Sequence, residues 1–355
     1  MTEARRAALV EALPDDVDAI LVTKLVNVRY LTGFTGSNGA VLIARDGSTT
    51  FATDGRYAEQ VKAQVGDVKT LVTRTLGPDL VRRAGHRGVR KLAIERDHVT
   101  LAANDALNAA AGGNLTFADA GSAVERLRQR KDAGEIAHLR RACAVTDHAF
   151  HAVLPALRPG VTERAIAWRL AGAMRDREAE GTAFDSIVAF GPHSAIPHHQ
   201  PTDRPLQTGD LVKLDFGALS GGYHADMTRT VVCGRAYEWQ NELHAQVREV
   251  QKRCRAAVAV GAAPVELDRL ARDLIAETGH DLVHGLGHGV GLEIHERPFL
   301  VPKSEDDLLA ADMTVTVEPG VYLPGRGGVR IEDTAVVTPG GIELLTTSPR
   351  DLLET

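Results

Sequence analysis

Side chains of the kind that bind metal ions are concentrated in the C-terminal part of the chain. Two aspartates flank one Gly-containing turn, two glutamates flank a second, and a histidine lies in a Gly-rich stretch between them; these are Asp215, Asp226, His288, Glu318 and Glu332. Four carboxylates that converged without cations would raise one another's pKa values, and some would be protonated at neutral pH. Two divalent cations would balance their formal charge.

The expected ligand atoms are mostly oxygens, with a single imidazole. Such a set favours Mn²⁺, Fe²⁺, Co²⁺ or Zn²⁺ over a thiolate-type structural site, and it leaves Mg²⁺ and mixed occupancy open. Paired metal ions polarise a carbonyl group and stabilise the oxyanion that forms when water attacks it. The pattern therefore indicates metal-assisted hydrolysis. The alternative, for each acid taken alone, is a solvated residue beside a turn on an open sheet.

Alternation along the predicted strands aims the acids away from the apolar layer. Successive side chains of a strand point to opposite faces, so Asp215 and Glu318 lie opposite the apolar residues around them. Those residues are Val212, Leu214 and Phe216 in the first strand, and Met313, Val315 and Val317 in the second. The same parity places Arg330 beside Glu332. We expect the face that carries the acids to be rich in threonine and open to water.

The glycines around His288 suggest a close approach of two backbones. Gly285, Gly287, Gly289 and Gly291 alternate along this stretch. The spacing differs from the dinucleotide-binding pattern, because Val290 stands where the third glycine of that pattern is needed and no helix is predicted to follow. A tight strand or a bulge is the expected structure.

Size and composition favour a two-domain enzyme. The chain has 355 residues, a formal net charge of −6, no basic run and 4% aromatic residues, which argues against a nucleic-acid partner. No apolar run approaches membrane-spanning length, and the N-terminal stretch has no signal-peptide core, so we expect a cytoplasmic protein with no membrane partner. Cys143, Cys233 and Cys254 are widely spaced, and we expect reduced thiols.

The order of predicted elements supports an α/β (α+β) fold. Short apolar strands alternate with helical stretches from about residue 18 to 120, which predicts a small α/β domain. One or two long helices are expected over 122–157, followed by a helix for which Thr162 is the N-cap. Strands over 184–232, two helices over 238–277 and further strands to 337 complete the chain. We predict domains at 1–122 and 123–355.

Several longer motifs carry a family resemblance that extends over nearly the whole chain. They are NVRYLTGFTGSNGAVLI, FATDGRYAEQ, SAIPHHQPTDRPLQTGDLVKLDFGALSGGYHADMTRT, GLGHGVGLEIHERP and VTVEPGVYLPGRGGVRIEDT. Together they resemble the Xaa-Pro aminopeptidase and Xaa-Pro dipeptidase (prolidase) branch of the creatinase and methionine-aminopeptidase-like "pita-bread" metallopeptidases. The resemblance implies a creatinase-like N-terminal domain and a pita-bread catalytic domain, in which helices cover a curved antiparallel sheet.

The resemblance also implies a ligand role for each of the five residues, since all five family positions hold the expected residue type. Asp215 would chelate one metal ion, Asp226 and Glu332 would bridge both ions, and His288 with Glu318 would complete the second. Two divalent ions per chain are implied, with Mn²⁺ favoured and Co²⁺, Zn²⁺ or Fe²⁺ as alternatives.

Four residues acquire catalytic roles from the same resemblance. Glu318 would handle the proton of the attacking water, His198 would contact the substrate near the scissile bond, and His295 would stabilise the tetrahedral intermediate. His199 is the alternative to His198. Arg330 would brace Glu332 or the substrate, or form a structural ion pair.

The implied activity is that of a proline-specific metallo-exopeptidase, a hydrolase. We expect an Xaa-Pro aminopeptidase that acts on small peptides with proline in second position, with a metal-activated water as nucleophile. An Xaa-Pro dipeptidase is the alternative on the same site. A creatinase-like amidinohydrolase and a non-catalytic peptide-binding relative are disfavoured, because neither requires all five ligands. The resemblance further implies a homodimer.

Overall fold

The chain folds into two units, which adjoin in sequence at Arg128 and Gln129. The computed structural model describes residues 2–355. Each unit has its own sheets and its own apolar core.

The first unit is built on one six-stranded mixed sheet. Its strands are β1 (Ala19–Val22), β2 (Gly39–Ala44), β3 (Thr49–Thr53), β4 (Lys69–Val72), β5 (Lys91–Ile94) and β6 (Thr116–Asp119). Their order across the sheet is β4-β3-β2-β1-β5-β6. Every residue of β1 is buried, as expected for an uninterrupted apolar strand at the centre of a sheet.

Six helices begin in this unit, and the last of them ends at its boundary with the second unit. They are α1 (Thr2–Ala12), α2 (Leu25–Thr32), α3 (Ala58–Gln64), α4 (Leu76–His86), α5 (Leu101–Ala111) and α6 (Ala123–Gln129). Leu80 and Val81 of α4 and Leu107 of α5 belong to one apolar cluster with strand residues, so these helices help to bury the sheet. The predicted small α/β domain is confirmed in its fold class.

The second unit contains four long helices. They are α7 (Ala133–Val153), α8 (Glu163–Arg175), α9 (Glu238–Ala257) and α10 (Pro264–Ala276). Asp132 and Glu135 form a capping box at the start of α7, an arrangement that stabilises a helix by about 1 kcal/mol. The predicted N-cap of α8 is confirmed, because the Thr162 side chain accepts a hydrogen bond from the Ala165 amide.

Short antiparallel strands make up the rest of the second unit. They are β7 (Gly181–Thr182), β8 (Ile187–Phe190), β9 (Leu211–Phe216), β10 (Ala218–Ser220), β11 (Tyr223–His224), β12 (Met227–Val232), β13 (Gly287–Gly289), β14 (Glu296–Leu300), β15 (Thr314–Val317), β16 (Gly320–Leu323), β17 (Gly327–Arg330), β18 (Asp333–Thr338) and β19 (Gly341–Leu344). Two sheets that adjoin the predicted ligands have the orders β12-β9-β8 and β14-β13-β15-β18-β19, and the pair β16-β17 carries Arg330.

Two strand pairs of this unit share the same antiparallel arrangement. β9 pairs with β12, and β15 pairs with β18, both antiparallel. The apolar residues predicted to share a face with each other do so, in two separate core clusters that include Leu214 and Phe216 for β9 and Val315 and Val317 for β15. The shared apolar faces predicted for β9 and β15 are confirmed.

The face that carries the acids is buried, so the expectation of a face open to water is wrong. Thr228 and Thr316 are completely buried. Their hydroxyl groups find partners inside the protein, at 2.7 Å from Glu332 Oε2 and 3.3 Å from Glu318 Oε1. Threonine suits a buried polar face, because one hydroxyl can both donate and accept a hydrogen bond.

Within residues 2–355, no helix combines the length and the apolar character that crossing a membrane requires.

Candidate metal centre

A cavity of about 410 Å³ in the second unit brings together every residue predicted for the site. Its lining includes His198, Asp215, Asp226, His288, His295, Glu318, Arg330 and Glu332. The residues come from positions up to 134 apart in sequence, since 332 − 198 = 134. Their convergence is therefore a result of the fold.

The paired strands place the four acids at matching positions. Asp215 lies near the end of β9 and Asp226 directly precedes β12, while Glu318 directly follows β15 and Glu332 precedes β18. Each acid thus lies at or beside the end of a strand, and Asp215 is still paired with Thr228 of β12. This placement lets side chains from both sheets meet in one cavity.

The glycines beside His288 allow β13 to lie against its neighbours. A Cβ atom on Gly287 would overlap the carbonyl oxygen of Thr316, and one on Gly289 would overlap the carbonyl oxygen of Arg297. The pairing of β13 with β14 also shifts register between His288 and Gly289. The predicted close backbone approach with a bulge is confirmed.

His288 presents a lone pair to the carboxylates. Its Nδ1 lies 3.0 Å from the carbonyl oxygen of Gly289, which can only accept, so Nδ1 carries the proton. Burial lowers the pKa of His288 to about 3, and the ring is neutral. Nε2 is then an acceptor, yet it lies 3.5 Å from Asp226 Oδ2 and 3.4 Å from Glu318 Oε1. With both carboxylates ionised, these atoms are all acceptors, and a cation between them would explain why they face one another at such distances.

The buried acids show the same need for positive charge. Burial, together with the charges of Asp215 and Glu318, raises the pKa of Asp226 well above its ordinary value. Burial and the charge of Asp226 do the same to the pKa of Glu332, and burial raises the pKa of Glu318 to about 8. These shifts show the cost of charging a group of like-signed, desolvated carboxylates.

Two carboxylate oxygens of the site lack hydrogen-bond partners. Among the described residues, Asp215 Oδ1 and Glu332 Oε1 are buried and accept no hydrogen bond. Ligand atoms of Asp226, His288 and Glu332 also lie within 4.8 Å of one another. Unpaired buried oxygens beside a neutral imidazole are the donor set that a divalent transition-metal ion needs, so the residues fit such a group.

Arg330 is anchored to a different acid from the one that strand parity suggested. Its guanidinium forms a buried ion pair with Asp215. Its Nε lies 3.1 Å from the hydroxyl of Thr228, and that hydroxyl donates to Glu332 over 2.7 Å. The predicted support of Glu332 therefore passes through Thr228, while the direct ion pair is with Asp215.

The cavity residue His284 and its hydrogen-bond partner Tyr322 were not found from the sequence. Arg330 Nη1 donates to the hydroxyl of Tyr322 over 2.7 Å, and that hydroxyl lies 2.9 Å from Nε2 of His284. His284 Nδ1 faces the carbonyl oxygen of Gly285 at 2.8 Å, so Nε2 accepts the tyrosine proton. The only sequence signal was their position, four residues before His288 and four residues after Glu318.

The adjacent histidines His198 and His199 point to different surroundings. His198 is exposed and lines the cavity, whereas His199 is buried and bonds to Glu163 over 2.9 Å. His295 also lines the cavity, with its ring centroid 4.4 Å from that of His288 in an edge-on arrangement. Burial lowers the pKa of His295.

Asp333, next to Glu332, fastens the start of β18 from the other side. It accepts hydrogen bonds from Arg229 at 2.8 Å and from Gln251 at 2.7 Å. Burial alone would raise the pKa of Asp333, but the positive charge of Arg229 lowers this pKa to about 2. The two neighbouring acids thus have opposite environments: the pKa of Asp333 is lowered by its arginine partners, whereas burial and nearby acids raise the pKa of Glu332 in the cavity.

Apolar side chains form another part of the cavity wall. They are Phe184, Ile187, Ile294, Phe299 and Val301. Apolar walls together with a few convergent polar groups are typical of sites for small ligands.

Comparisons with known proteins agree with this site. The chain matches the metallopeptidase family M24 over residues 137–339 and the creatinase/prolidase N-terminal domain over residues 5–130. It is 38% identical over 343 residues to an uncharacterised peptidase, YqhT, of Bacillus subtilis, which covers 95% of this chain and 96% of the relative.

Solved structures show the same likeness. An Xaa-Pro dipeptidase from Bacillus anthracis superposes with a TM-score of 0.95 at 37% identity and covers 100% of both chains. An X-Pro aminopeptidase from Thermotoga maritima superposes with a TM-score of 0.88 at 34% identity, over 96% of this chain and 98% of that one. The fold class and the resemblance inferred from the motifs are confirmed. The chain belongs to metallopeptidase family M24, with a creatinase/prolidase N-terminal domain, and is a hydrolase of that family.

Proposed function

We propose that this protein is a proline-specific metallo-exopeptidase, which hydrolyses the bond between an N-terminal residue and proline. The observation that carries the proposal is the cavity, where buried unpaired carboxylate oxygens and a neutral His288 lie within reach of an apolar wall. A pyrrolidine ring fits an apolar wall, and its missing N–H removes a contact on which general peptidases rely. Relatives whose names include Xaa-Pro support the same substrate class.

Two forms of this activity differ in the length of the substrate. An Xaa-Pro aminopeptidase, the form expected first from the sequence, acts on longer peptides, but the sequence motifs are shared by both forms. The dipeptidase form is supported by the structural likeness to an Xaa-Pro dipeptidase at a TM-score of 0.95. Both forms would cleave the bond before proline and would use the same residues of the metal centre.

The ligands would hold two divalent cations, for which Mn²⁺ is favoured. Asp215 would bind one ion, Asp226 and Glu332 would bind both, and His288 and Glu318 would bind the second. When bound, the ions supply Lewis acidity and an activated water. The orphan oxygens of Asp215 and Glu332 support this assignment, because a cation would give each of them a partner.

The remaining chemistry falls to groups of the chain itself. Glu318 would take the proton of the attacking water and return it to the proline nitrogen, which must be protonated before it leaves as an amine. His295 would donate a hydrogen bond to the oxyanion, and His198 would orient the substrate near the scissile bond. Arg330 would keep Asp215 and, through Thr228, Glu332 in place.

We also propose that the protein acts as a homodimer. The support is the family resemblance alone. Light scattering of the purified protein would test the proposal, and a mass equal to one 38.0 kDa chain would contradict it.

A substrate panel tests the proposed activity. The protein is stripped of metal with a chelator, reloaded with Mn²⁺, Co²⁺ or Zn²⁺, and assayed with Xaa-Pro, Xaa-Pro-Yaa and Xaa-Ala-Yaa peptides. We expect cleavage before proline in at least one metal form and little cleavage of the alanine peptide. Preference for the dipeptide would identify the dipeptidase form. Equal cleavage of the alanine peptide would contradict proline specificity.

A further inference from the structure

Glu163 lies outside the cavity and is completely buried at the start of α8. Its two carboxylate oxygens have dense hydrogen bonding. Oε1 accepts from the Phe190 amide at 2.9 Å and from His193 Nδ1 at 2.8 Å. Oε2 accepts from His199 Nε2 at 2.9 Å and from Thr202, through its amide at 2.9 Å and its hydroxyl at 2.6 Å.

These donors lie on both sides of His198 in sequence. Phe190 and His193 precede it, and His199 and Thr202 follow it. One carboxylate therefore joins both ends of the loop 190–202 that delivers His198 to the cavity. Burial acts to raise the pKa of Glu163, but hydrogen bonds from Thr202 and His199 lower it below its ordinary value. The lowered pKa is consistent with an ionised carboxylate that accepts these hydrogen bonds.

The middle of the same loop is held from the side of the metal centre. Lys213 Nζ donates to the carbonyl oxygens of Ile196 at 2.6 Å and Pro197 at 3.1 Å. Arg330 Nη1 lies 3.3 Å from the Pro197 oxygen. The backbone on one side of His198 is thus held by the Lys213 amino group and the Arg330 guanidinium, and the backbone on its other side is held by Glu163 through His199.

Glu163, His193 and His199 could also be considered as a metal site, since their ligand atoms lie within 4.8 Å of one another. The hydrogen bonds argue for another role. Both ring nitrogens already donate to the carboxylate, and backbone amides occupy further positions on it. The group is satisfied as it stands, unlike the orphan oxygens of the metal centre.

We infer that Glu163 is a positioning residue for the peptidase reaction, which sets the place of His198 in the cavity by holding His199, His193 and Thr202. The inference rests on the proposed function, because it assigns His198 a contact with the substrate. A misplacement of about 1 Å in a catalytic group can lower the rate about a hundredfold. Glu163 controls such a placement without touching the substrate.

Two kinds of substitution test this role. Glu163→Gln replaces one carboxylate oxygen by an NH2 group, which cannot accept a hydrogen bond. His199→Leu removes the donor that is adjacent to His198 in sequence. His199→Gln keeps a nitrogen donor at about the position of the imidazole Nε2. The matched control is Glu266→Gln, which changes an exposed acid in the first turn of α10.

The expected result separates kcat from metal binding. Glu163→Gln and His199→Leu should lower kcat for an Xaa-Pro peptide by about tenfold to a hundredfold, with KM and metal content at wild-type values. His199→Gln should recover most of the kcat lost in His199→Leu. The double variant Glu163→Gln/His199→Leu should lose no more kcat than the more affected single variant, because both substitutions break the same contact between His199 and Glu163. Hydrogen exchange of residues 190–202 should become faster in Glu163→Gln and stay unchanged in Glu266→Gln.

Two results would overturn the inference, and they differ from failure of the proposed function. Wild-type kcat in both Glu163→Gln and His199→Leu would show that the loop does not depend on this contact. Equal losses in His199→Leu and His199→Gln would show that the donor is irrelevant. A wild-type protein that cleaves no Xaa-Pro bond in any metal form would overturn the proposed function itself and, with it, the role of Glu163 in that reaction.

Discussion

At the scale of single residues, the site is defined by charges that the protein leaves unbalanced. Asp215 has a guanidinium partner, Arg330, but one of its oxygens is an orphan, and Glu332 also has an orphan oxygen. Asp333, one residue away, is surrounded by hydrogen-bond donors. The fold thus supplies a full set of hydrogen-bond donors to one buried carboxylate, whereas buried carboxylate oxygens in the cavity have none. Bound cations would explain this difference.

Loss of a bridging acid should remove one metal ion of the pair. Glu332→Ala or Asp226→Ala takes away a ligand assigned to both ions, and we expect fewer than two ions per chain and no peptidase activity. Elemental analysis after dialysis measures the ion content. Two bound ions in either variant would contradict the bridging assignment.

His295→Ala should separate chemistry from metal binding. If His295 stabilises the oxyanion, its loss should lower kcat by about a hundredfold or more, while metal content stays unchanged. Steady-state kinetics with a reloaded enzyme gives the answer. Unaltered turnover would reduce His295 to a packing role beside His288.

The raised pKa values of the acids should make the metal-free protein less stable as the pH rises. Glu318 has a pKa near 4.5 when unfolded and about 8 when folded without metal, so the folded state binds its proton more tightly. That contribution is fully present below pH 4.5 and is lost as the pH rises towards 8. Thermal unfolding of chelated protein should show Tm falling over this window. A Tm that rises between pH 5.5 and 8 would contradict this electrostatic description.

At the scale of elements, alternation predicted which faces of β9 and β15 are apolar, and those faces are buried as expected. Alternation could not predict that the opposite, Thr-rich faces are also buried, because their burial depends on which other segments of the chain pack against them. The ion pair of Arg330 with Asp215 was missed for the same reason. Parity orders neighbours along one strand, whereas this pair joins two strands that are far apart in sequence.

The strand β13 offers a direct test of the element scale. Gly287→Ala places a Cβ against the backbone of β15, and β13 must move away, which costs about 1–3 kcal/mol and displaces His288. We expect a lower Tm and weaker metal binding, measured by calorimetry. Gly340→Ala is the control, because a Cβ there meets nothing within 4 Å. Equal behaviour of the two variants would contradict the packing argument.

At the scale of the whole molecule, the motifs predicted more than local patterns could. Ordered over most of the chain, they indicated a creatinase-like domain followed by a metallopeptidase domain, and the family matches over 5–130 and 137–339 confirm this order. The placement of the domain boundary at residue 122 stays a prediction. The separate surroundings of His198 and His199 could not be predicted, because Glu163 lies 36 residues before His199 and only the fold brings them together.

We propose that the buried acids hold a pair of divalent ions and that peptidase activity depends on these ions. The most direct measurement is metal content and Xaa-Pro cleavage of the same sample, before chelation, after chelation and after reloading. We predict two ions per chain in active protein, loss of cleavage when they are removed, and its return with Mn²⁺. Full cleavage by protein that contains no divalent metal would contradict the claim.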